Sequence, residues 1–465
     1  MRRTAIVIVP SIILSACNSL SPEGAALRTP DFAPPGVQSV SAAVSGYEAI
    51  DLGTLRASYS RAVGINSRGQ VVVESGGGFL WQNGDVTDLH LGPRDVNDAG
   101  QVLGVSGIWE KGTITSFGTL GGGWTYSSAI NARGQVTGQS ETAGGQTHGF
   151  LWSDGTMADI GALDGRWAAP TAINGDGWVV GQSLTPDGLL HGFLWNGETI
   201  TDLGTLGGRS TSPSDINDAG QVVGWSQWST DNASRPHAFL WENGGMTDLG
   251  TLGGVSSAAV AINQAGEITG QSDNHAFLWS RGVMTDLGTL GGSLSNGVGI
   301  NNRGQVVGWS LVPGWEGNSH AFVWADGVMT DLGTLGGPHS AAVAINERGE
   351  IIGYSRLSDD SPDEHAVLWR PLSPAERVQA MGDHVNAMVA AGSLGRDQAD
   401  VLLAVLRGVL GRLDAGRTPD AINQLGRFVD QVEALVHDQG LDRDGARPLI
   451  AAARGTVSRL RAAGD

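Results

Sequence analysis

Six histidines recur at equivalent positions of a repeated motif and are the first candidates for chemistry. They are His148, His191, His237, His275, His320 and His365. Imidazole is a common zinc ligand, but two of these rings would have to reach one ion at about 2.0–2.1 Å to share it. Because each histidine belongs to a different copy of the motif, we expect it to anchor its own strand by a hydrogen bond. The sequence therefore predicts no metal site and no cofactor.

Repeated serines and aspartates give no stronger indication of catalysis. Ser140 and Ser226 each follow Gly-x, but the second glycine of a hydrolase nucleophile motif is missing. Asp202 and Asp248 recur once per copy, which favours hydrogen bonding at strand ends over a pair of catalytic acids. The pattern predicts no catalytic residue, and an enzyme acting on a polysaccharide stays as an alternative.

The motif that carries these residues occurs eight times from residue 51 onward. Its asparagines are Asn66, Asn97, Asn131, Asn174, Asn217, Asn263, Asn301 and Asn346. Its tryptophans are Trp81, Trp109, Trp152, Trp195, Trp241, Trp279, Trp324 and Trp369. Asn-x-x-Gly fits a type I turn, and the Asn-Gly or Asp-Gly pairs after several tryptophans fit two-residue hairpins. Each copy is therefore predicted to contain four short strands, as in propellers or solenoids.

The spacing predicts a closed ring and not an open solenoid. In seven copies a DLGTL-like strand starts seven residues after the tryptophan, but none follows Trp369. The missing copy lies at the other end of the repeat region, at residues 51–55, and a strand displaced in this way closes a propeller. The fold predicted is mainly β, an eight-bladed propeller of four-stranded blades. The compressed copy between Trp81 and Trp109 leaves seven blades plus a remnant as the alternative.

The His-Ala-Phe triplets at residues 237–239, 275–277 and 320–322 extend this interpretation. With the repeats around them, over residues 51–369, the chain resembles the bacterial extracellular HAF-repeat family. The resemblance implies kinship and an extracellular location more than a particular activity.

The N-terminus has the features of an export signal. Residues 1–16 combine two arginines, a short apolar run and small residues before Cys17, and the run is too short for a membrane span. Residues 14–17 resemble the bacterial lipoprotein box, which implies lipidation of Cys17 and anchoring in a membrane. Asn18 then implies the outer membrane or cell surface. Residues 17–46, rich in Ser, Pro, Ala and Gly, are predicted to form a tether.

The C-terminal segment changes to a helical pattern. The propeller is predicted to span residues 47–371, and residues 372–465 to form a small all-α antiparallel bundle. Ser373 and Glu376 make a capping box at its start. This segment resembles the FIMAH module of secreted bacterial proteins, best at residues 421–425 and 428–429, which implies accessory attachment or spacing.

Charge and loop lengths guide the prediction of function. With 28 basic and 47 acidic residues the net charge is −19, which excludes a general nucleic-acid binder. The loop between the second and third strands varies most in length, and variable loops on a rigid scaffold usually carry recognition. The candidate ligand-binding residues near these loops are Trp124, Trp167, Trp225, Trp228, Trp309 and Trp315.

The function predicted is a monomeric binding or adhesion module for a glycan or a surface protein. Exposed aromatic rings suit both kinds of ligand. Local packing of these tryptophans under their own loops, and a purely structural role in the envelope, stay as alternatives.

Overall fold

The computed structural model describes residues 46–229, 235–314, 317–359, 363–438 and 440–462. Within them, 32 strands form eight four-stranded antiparallel sheets. The strands of blades 1 to 4 are β2 (Arg61–Ile65), β3 (Val71–Glu74), β4 (Phe79–Gln82), β5 (Asp85–Asp88), β6 (Pro93–Val96), β7 (Val102–Gly104), β8 (Gly107–Glu110), β9 (Thr113–Ser116), β10 (Gly121–Ile130), β11 (Val136–Thr142), β12 (Thr147–Ser153), β13 (Thr156–Gly161), β14 (Ala168–Ile173), β15 (Val179–Leu184), β16 (Leu190–Trp195) and β17 (Ile200–Asp202). The strands of blades 5 to 8 are β18 (Thr211–Ile216), β19 (Val222–Gln227), β20 (Pro236–Glu242), β21 (Gly245–Asp248), β22 (Ser257–Ile262), β23 (Ile268–Ser272), β24 (His275–Ser280), β25 (Val283–Asp286), β26 (Ser295–Ile300), β27 (Val306–Leu311), β28 (Ser319–Ala325), β29 (Val328–Asp331), β30 (Ser340–Ile345), β31 (Ile351–Arg356), β32 (Glu364–Pro371) and, completing blade 8, β1 (Tyr47–Asp51).

The eight sheets form the blades of a β-propeller, which confirms the predicted fold class. The compressed second copy forms a complete sheet of its own, β6 to β9, so the alternative of seven blades is wrong. Blade 8 joins the two ends of the repeat region, because β1 pairs with β32 and sets Asp51 opposite Val367. The predicted closure of the ring is therefore confirmed.

One detail of the closing strand differs from the prediction. The DLGTL-like segments do not begin a strand. In six blades the strand ends at their aspartate, as β1 does at Asp51, whereas β13 continues past Asp159 to Gly161 and β9 ends at Ser116. The Asp51 carboxylate accepts a hydrogen bond from the Gly53 amide at 2.8 Å. Such an Asx turn competes with the sheet ladder and ends the strand.

A ring of hydrogen bonds runs through the eight repeated asparagines. Each side-chain Nδ2 donates to the backbone carbonyl of the equivalent asparagine in the next blade, at 3.0–3.1 Å. Within each turn the Oδ1 accepts backbone amides two and four residues later, as Asn66 does from Arg68 and Gln70. The asparagine therefore shapes its own turn and also joins neighbouring blades, and it is buried in every copy.

Large apolar side chains of the third strands fill the space between blades. Phe239 is fully buried and packs with Val180 and Leu194 of blade 4, and Phe277 packs in the same way against blade 5. Period-two alternation places the repeated tryptophan on the same face as this phenylalanine. The aromatic pairs therefore form the interfaces between blades.

The C-terminal region is a bundle of four helices. They are α1 (Pro374–Ala390), α2 (Arg396–Asp414), α3 (Thr418–His437) and α4 (Arg443–Ala462). Helix α1 begins with the predicted capping box between Ser373 and Glu376. No helix in the described part of the chain has both the length and the apolar character needed to cross a bilayer.

The bundle contacts blade 8 where the ring closes. Arg370 of β32 hydrogen bonds to Glu48 of β1 and to Glu376 of α1, and the bond from Arg370 lowers the pKa of Glu376 to about 2. Arg377 of α1 is buried and donates to the Gly46 carbonyl at 3.0 Å, and burial lowers its pKa to about 10. The first helix is therefore bonded to the strand that completes the propeller.

Candidate binding rim

The alternating strand directions divide the connections between two edges of the ring. One edge carries the Asn-x-x-Gly turns and the hairpins after the tryptophans, such as residues 217–220 and 243–244, and we call it the turn rim. The other carries the loops between second and third strands and the connections between blades, such as residues 185–189 and 249–256, and we call it the loop rim. The connections that vary in length all lie on the loop rim.

Six His–Asp pairs lie on the loop rim, one in each of six blades. In each pair the histidine Nδ1 lies 2.8–3.0 Å from both oxygens of an aspartate on the neighbouring strand. The pairs are His148 with Asp159, His191 with Asp202, His237 with Asp248, His275 with Asp286, His320 with Asp331 and His365 with Asp51. The histidine therefore anchors the outer hairpin of its own blade, as the sequence predicted.

In the blade 3 pair, the surroundings of His148 shift the pKa of its imidazole. Burial of His148 lowers its pKa, but hydrogen bonds to Asp159 and to the Gly165 carbonyl outweigh burial, so its pKa lies above the ordinary value. Within the described residues, no three His, Cys, Asp or Glu side chains are grouped so that they could hold a metal ion. The His–Asp pairs therefore have a structural role at the loop rim.

The two blades without the histidine compensate in different ways. In blade 1, Arg56 from the preceding connection forms the ion pair with Asp88. In blade 2 the hairpin between β7 and β8 turns at residues 105 and 106, before the histidine position, and Ser116 replaces the aspartate. The aspartate is therefore present only where a cation or an imidazole faces it.

The Gly-x-Ser serines have structural partners. Ser226 is fully buried, accepts a hydrogen bond from the Leu206 amide at 2.9 Å, and donates to the Ser210 carbonyl. Equivalent serines in other blades make the same bonds. A buried hydroxyl committed to the backbone is not available as a nucleophile.

The structure does not bring the six candidate tryptophans together. Trp124 and Trp228 are the exposed ones, at 41% and 51%, and Trp228 stacks on His237 with ring centroids 5.7 Å apart. Trp167 is half-buried just before β14. Trp225 and Trp309 are half-buried within β19 and β27, next to the serine position. Trp315 lies outside the described residues.

Aromatic side chains that the sequence analysis missed extend the exposed surface. Tyr59 and Tyr126 are 46% and 37% exposed on the loop rim of blades 1 and 3. Tyr59, Trp124 and Trp167 share one structural position, because the backbone carbonyl of each accepts a bond from the serine 16 residues later. That constant spacing is the sequence signal that finds them.

Two carboxylates interrupt the small residues of the innermost strands. Every innermost strand has a bulge, and the residue after it is Gly or Ala in six blades but Asp95 in blade 2 and Asp215 in blade 5. Neighbouring blades surround both carboxyl groups, and this burial raises the pKa of each to about 6. Asp215 also accepts amides of Ile216 and Ile262. Because blades 2 and 5 are not neighbours, these acids do not form a carboxylate pair.

The turn-rim end of the axis has its own small opening. It is a depression of about 260 Å³ lined by residues of the asparagine turns, among them Asn66, Asn97 and Asn346. Their amides are already engaged in the ring of hydrogen bonds. These amides are therefore not available to a ligand.

Comparisons with known proteins give structural likeness only. No protein-family model and no curated protein matches the chain. TolB from Acinetobacter baumannii is 15% identical, with 58% of this chain and 62% of that chain covered and a TM-score of 0.31. A puromycin-hydrolyzing peptidase of Mycobacterium tuberculosis is 12% identical, with 70% of this chain and 52% of that chain covered and a TM-score of 0.35. An Aleuria aurantia lectin in complex with Fucα1-6GlcNAc is 15% identical, with 53% of this chain and 96% of that chain covered and a TM-score of 0.28. The chain spans less than two thirds of the TolB and peptidase chains.

Proposed function

We propose that this protein is a lipid-anchored, extracytoplasmic binding protein whose loop rim binds a glycan. One observation carries the proposal: the four aromatic side chains that are exposed among the described residues all lie on the loop rim. They are Tyr59, Trp124, Tyr126 and Trp228. Aromatic faces held on a rigid scaffold beside polar loops suit the apolar faces of sugar rings.

The location of the N-terminal strand is compatible with binding at the loop rim. β1 begins at Tyr47 on the turn rim, opposite Pro371, and ends at Asp51 on the loop rim. The predicted tether from Cys17 therefore joins the propeller at the turn rim, which leaves the loop rim clear of the attachment point.

Catalysis in the axial channel has less support than binding. A glycosidase of the common kind needs two carboxyl groups on either side of one bond. The non-repeated acids of the innermost strands, Asp95 and Asp215, lie on blades that are not adjacent. A binding function requires no such pair.

Glycan binding is tested with the soluble chain from residue 18 on a glycan array. We expect binding to a defined set of glycans and a loss of at least tenfold in affinity for Trp124→Ala or Trp228→Ala. Val283→Ala is the matched control, because Val283 is 63% exposed but lies on the turn rim. Binding to no glycan would contradict the proposal, and capture of a protein ligand alone would replace the glycan with a protein.

Lipid anchoring is tested separately by metabolic labelling with an alkynyl fatty acid. We expect label in the wild-type chain and its membrane fraction, and none after Cys17→Ser. Ser21→Ala, in the tether, is the control and should keep the label. An unlabelled, fully soluble wild-type chain would refute the anchor without affecting the binding proposal.

A further inference from the structure

The second blade leaves a gap in the loop rim. The connection into it from blade 1 spans only residues 89–92, and its loop between second and third strands only residues 105–106. In blade 4 the corresponding loop runs over residues 185–189. We call the space above blade 2 the notch.

The short loops uncover one face of the next blade. Trp124 and Tyr126 lie two residues apart on β10 and are exposed, whereas Ser127 is fully buried on the other face. At three other junctions the third strand of the preceding blade bridges to the position equivalent to Trp124, as Leu190 does to Ser210 and Ser319 to His339. The truncated hairpin of blade 2 forms no such bridge and bonds to β10 further along, where Ser127 donates its amide to the Val105 carbonyl at 2.9 Å and its hydroxyl to the Gly104 carbonyl at 2.7 Å. Two aromatic rings about 7 Å apart along the strand therefore form one wall of the notch.

The notch also contains an arginine without an acidic partner. The Arg94 guanidinium lies 4.0 Å from the centre of the Tyr126 ring and donates to the Tyr126 hydroxyl. No carboxylate in the described chain forms an ion pair with Arg94, and its buried Nε has no hydrogen-bond partner. Val105, 37% exposed, lies at the tip of the truncated hairpin beside it.

A similar pair one blade away shows what is missing. Arg61 stacks on Tyr354 at 4.9 Å, and its guanidinium is paired with Glu364 at 2.6 Å. The charge of Arg61 is therefore compensated within the protein. The charge of Arg94 is left for a ligand, and guanidinium groups pair best with planar anions such as carboxylate.

From this arrangement we infer that the notch is a subsite for an acidic sugar, a uronic acid residue of a polysaccharide. The sugar ring packs on Trp124 and the carboxylate pairs with Arg94. This inference rests on the proposed glycan-binding function and names its ligand class and location. The net charge of −19 disfavours densely charged polyanions, so the inference is limited to a single carboxylate that pairs with Arg94.

The test is calorimetric titration with a galactose tetrasaccharide in which one sugar is replaced by galacturonic acid, the acidic probe, and with the all-galactose tetrasaccharide, the neutral probe. We expect the acidic probe to bind more tightly and its affinity to fall as salt rises. Arg94→Gln should weaken the acidic probe roughly tenfold while leaving the neutral probe unchanged, since about 1.4 kcal/mol corresponds to a factor of ten. Trp124→Ala should weaken both probes. Arg281→Gln, on the turn rim of blade 6, is the control for loss of a positive charge.

The outcomes separate this inference from the proposed function. Equal binding of both probes, or no effect of Arg94→Gln in a variant that melts like the wild type, would overturn the acidic subsite. If neutral glycans bind on the array but the acidic probe does not, the glycan-binding function survives and the notch assignment fails. Equally strong binding of a hexaglutamate peptide would show that the notch binds carboxylate groups whether or not a sugar ring carries them, which also overturns the inference.

Discussion

Asn346 donates from its side-chain Nδ2 to the backbone carbonyl of Asn66 at 3.0 Å, across 280 positions of sequence. This bond closes the ring of eight asparagines, and its length equals those between consecutive blades. The first and eighth blades are therefore joined in the same way as any two neighbours. The loop rim is rigid because the blades beneath it form an unbroken circle.

The asparagine ring predicts that substitution of an asparagine costs the same stability where the ring closes as between two internal blades. Asn346→Ala and Asn217→Ala each remove a buried side chain that bonds its own turn and the next blade. We expect each to lower the free energy of unfolding by roughly 2–3 kcal/mol, because buried backbone groups lose their partners. Urea unfolding measures both. A much smaller effect for Asn346→Ala would show that the ring is open between blades 8 and 1.

The buried carboxyl group of Asp95 predicts a stabilising substitution at neutral pH. Its pKa is raised to about 6, so the folded state binds a proton more tightly than the unfolded chain does. The cost of ionising it appears as pH rises from about 4 to about 6 and is then constant. Asp95→Ala, which restores the residue type of several other blades, should therefore raise stability by about 1–2 kcal/mol at pH 8.

The pH dependence distinguishes removal of the ionisation cost of Asp95 from a gain in stability with another cause. The advantage of Asp95→Ala should disappear below pH 4, where both states are protonated. Asp215→Ala is the matched comparison, and it should gain less because Asp215 accepts two backbone amides. Thermal unfolding from pH 3.5 to 8 measures both. A pH-independent difference would contradict the role of burial.

The His–Asp pairs predict stability that does not depend on metal. In blade 7, His320→Ala removes the bond to Asp331, and Asp331→Ala removes that bond and the one from the Gly333 amide. The double variant should therefore lose little more than Asp331→Ala alone. The loss for His320→Ala should be about 1 kcal/mol. Adding EDTA or zinc should leave the melting temperature of the wild type unchanged. A zinc-dependent rise that His320→Ala abolishes would show that the histidines bind metal.

The sequence predicted most of the fold because each repeat carries its own turn chemistry. Asn-x-x-Gly and the pairs after the tryptophans fix two hairpins, and their eightfold recurrence fixes the number of blades. The strand end at Asp51 was misplaced because the aspartate bonds the amide of Gly53, which a hydrophobic pattern does not show. The cross-blade role of the asparagines also needed coordinates, since the pattern of one repeat does not reveal bonds to the next.

The notch could not be predicted from residue types. The compression of the second repeat is visible in the sequence, and it indicated a possible remnant in place of a complete blade. Its consequence, the exposure of Trp124 and Tyr126 on the following blade, depends on which neighbour covers which face. Of the candidate tryptophans, the sequence could not separate the exposed Trp228 from the half-buried Trp225, three residues away.

Closure of the ring by β1 is the claim on which the assignment of both rims depends, and a disulfide tests it directly. Glu48 and Arg370 are paired across β1 and β32, at a separation that antiparallel strands share with disulfides. In a Cys17→Ser background, Glu48→Cys with Arg370→Cys should form an intramolecular disulfide on mild oxidation, while Glu48→Cys with Val283→Cys of blade 6 should not. Free thiols or only intermolecular dimers in the first variant would contradict the closed propeller.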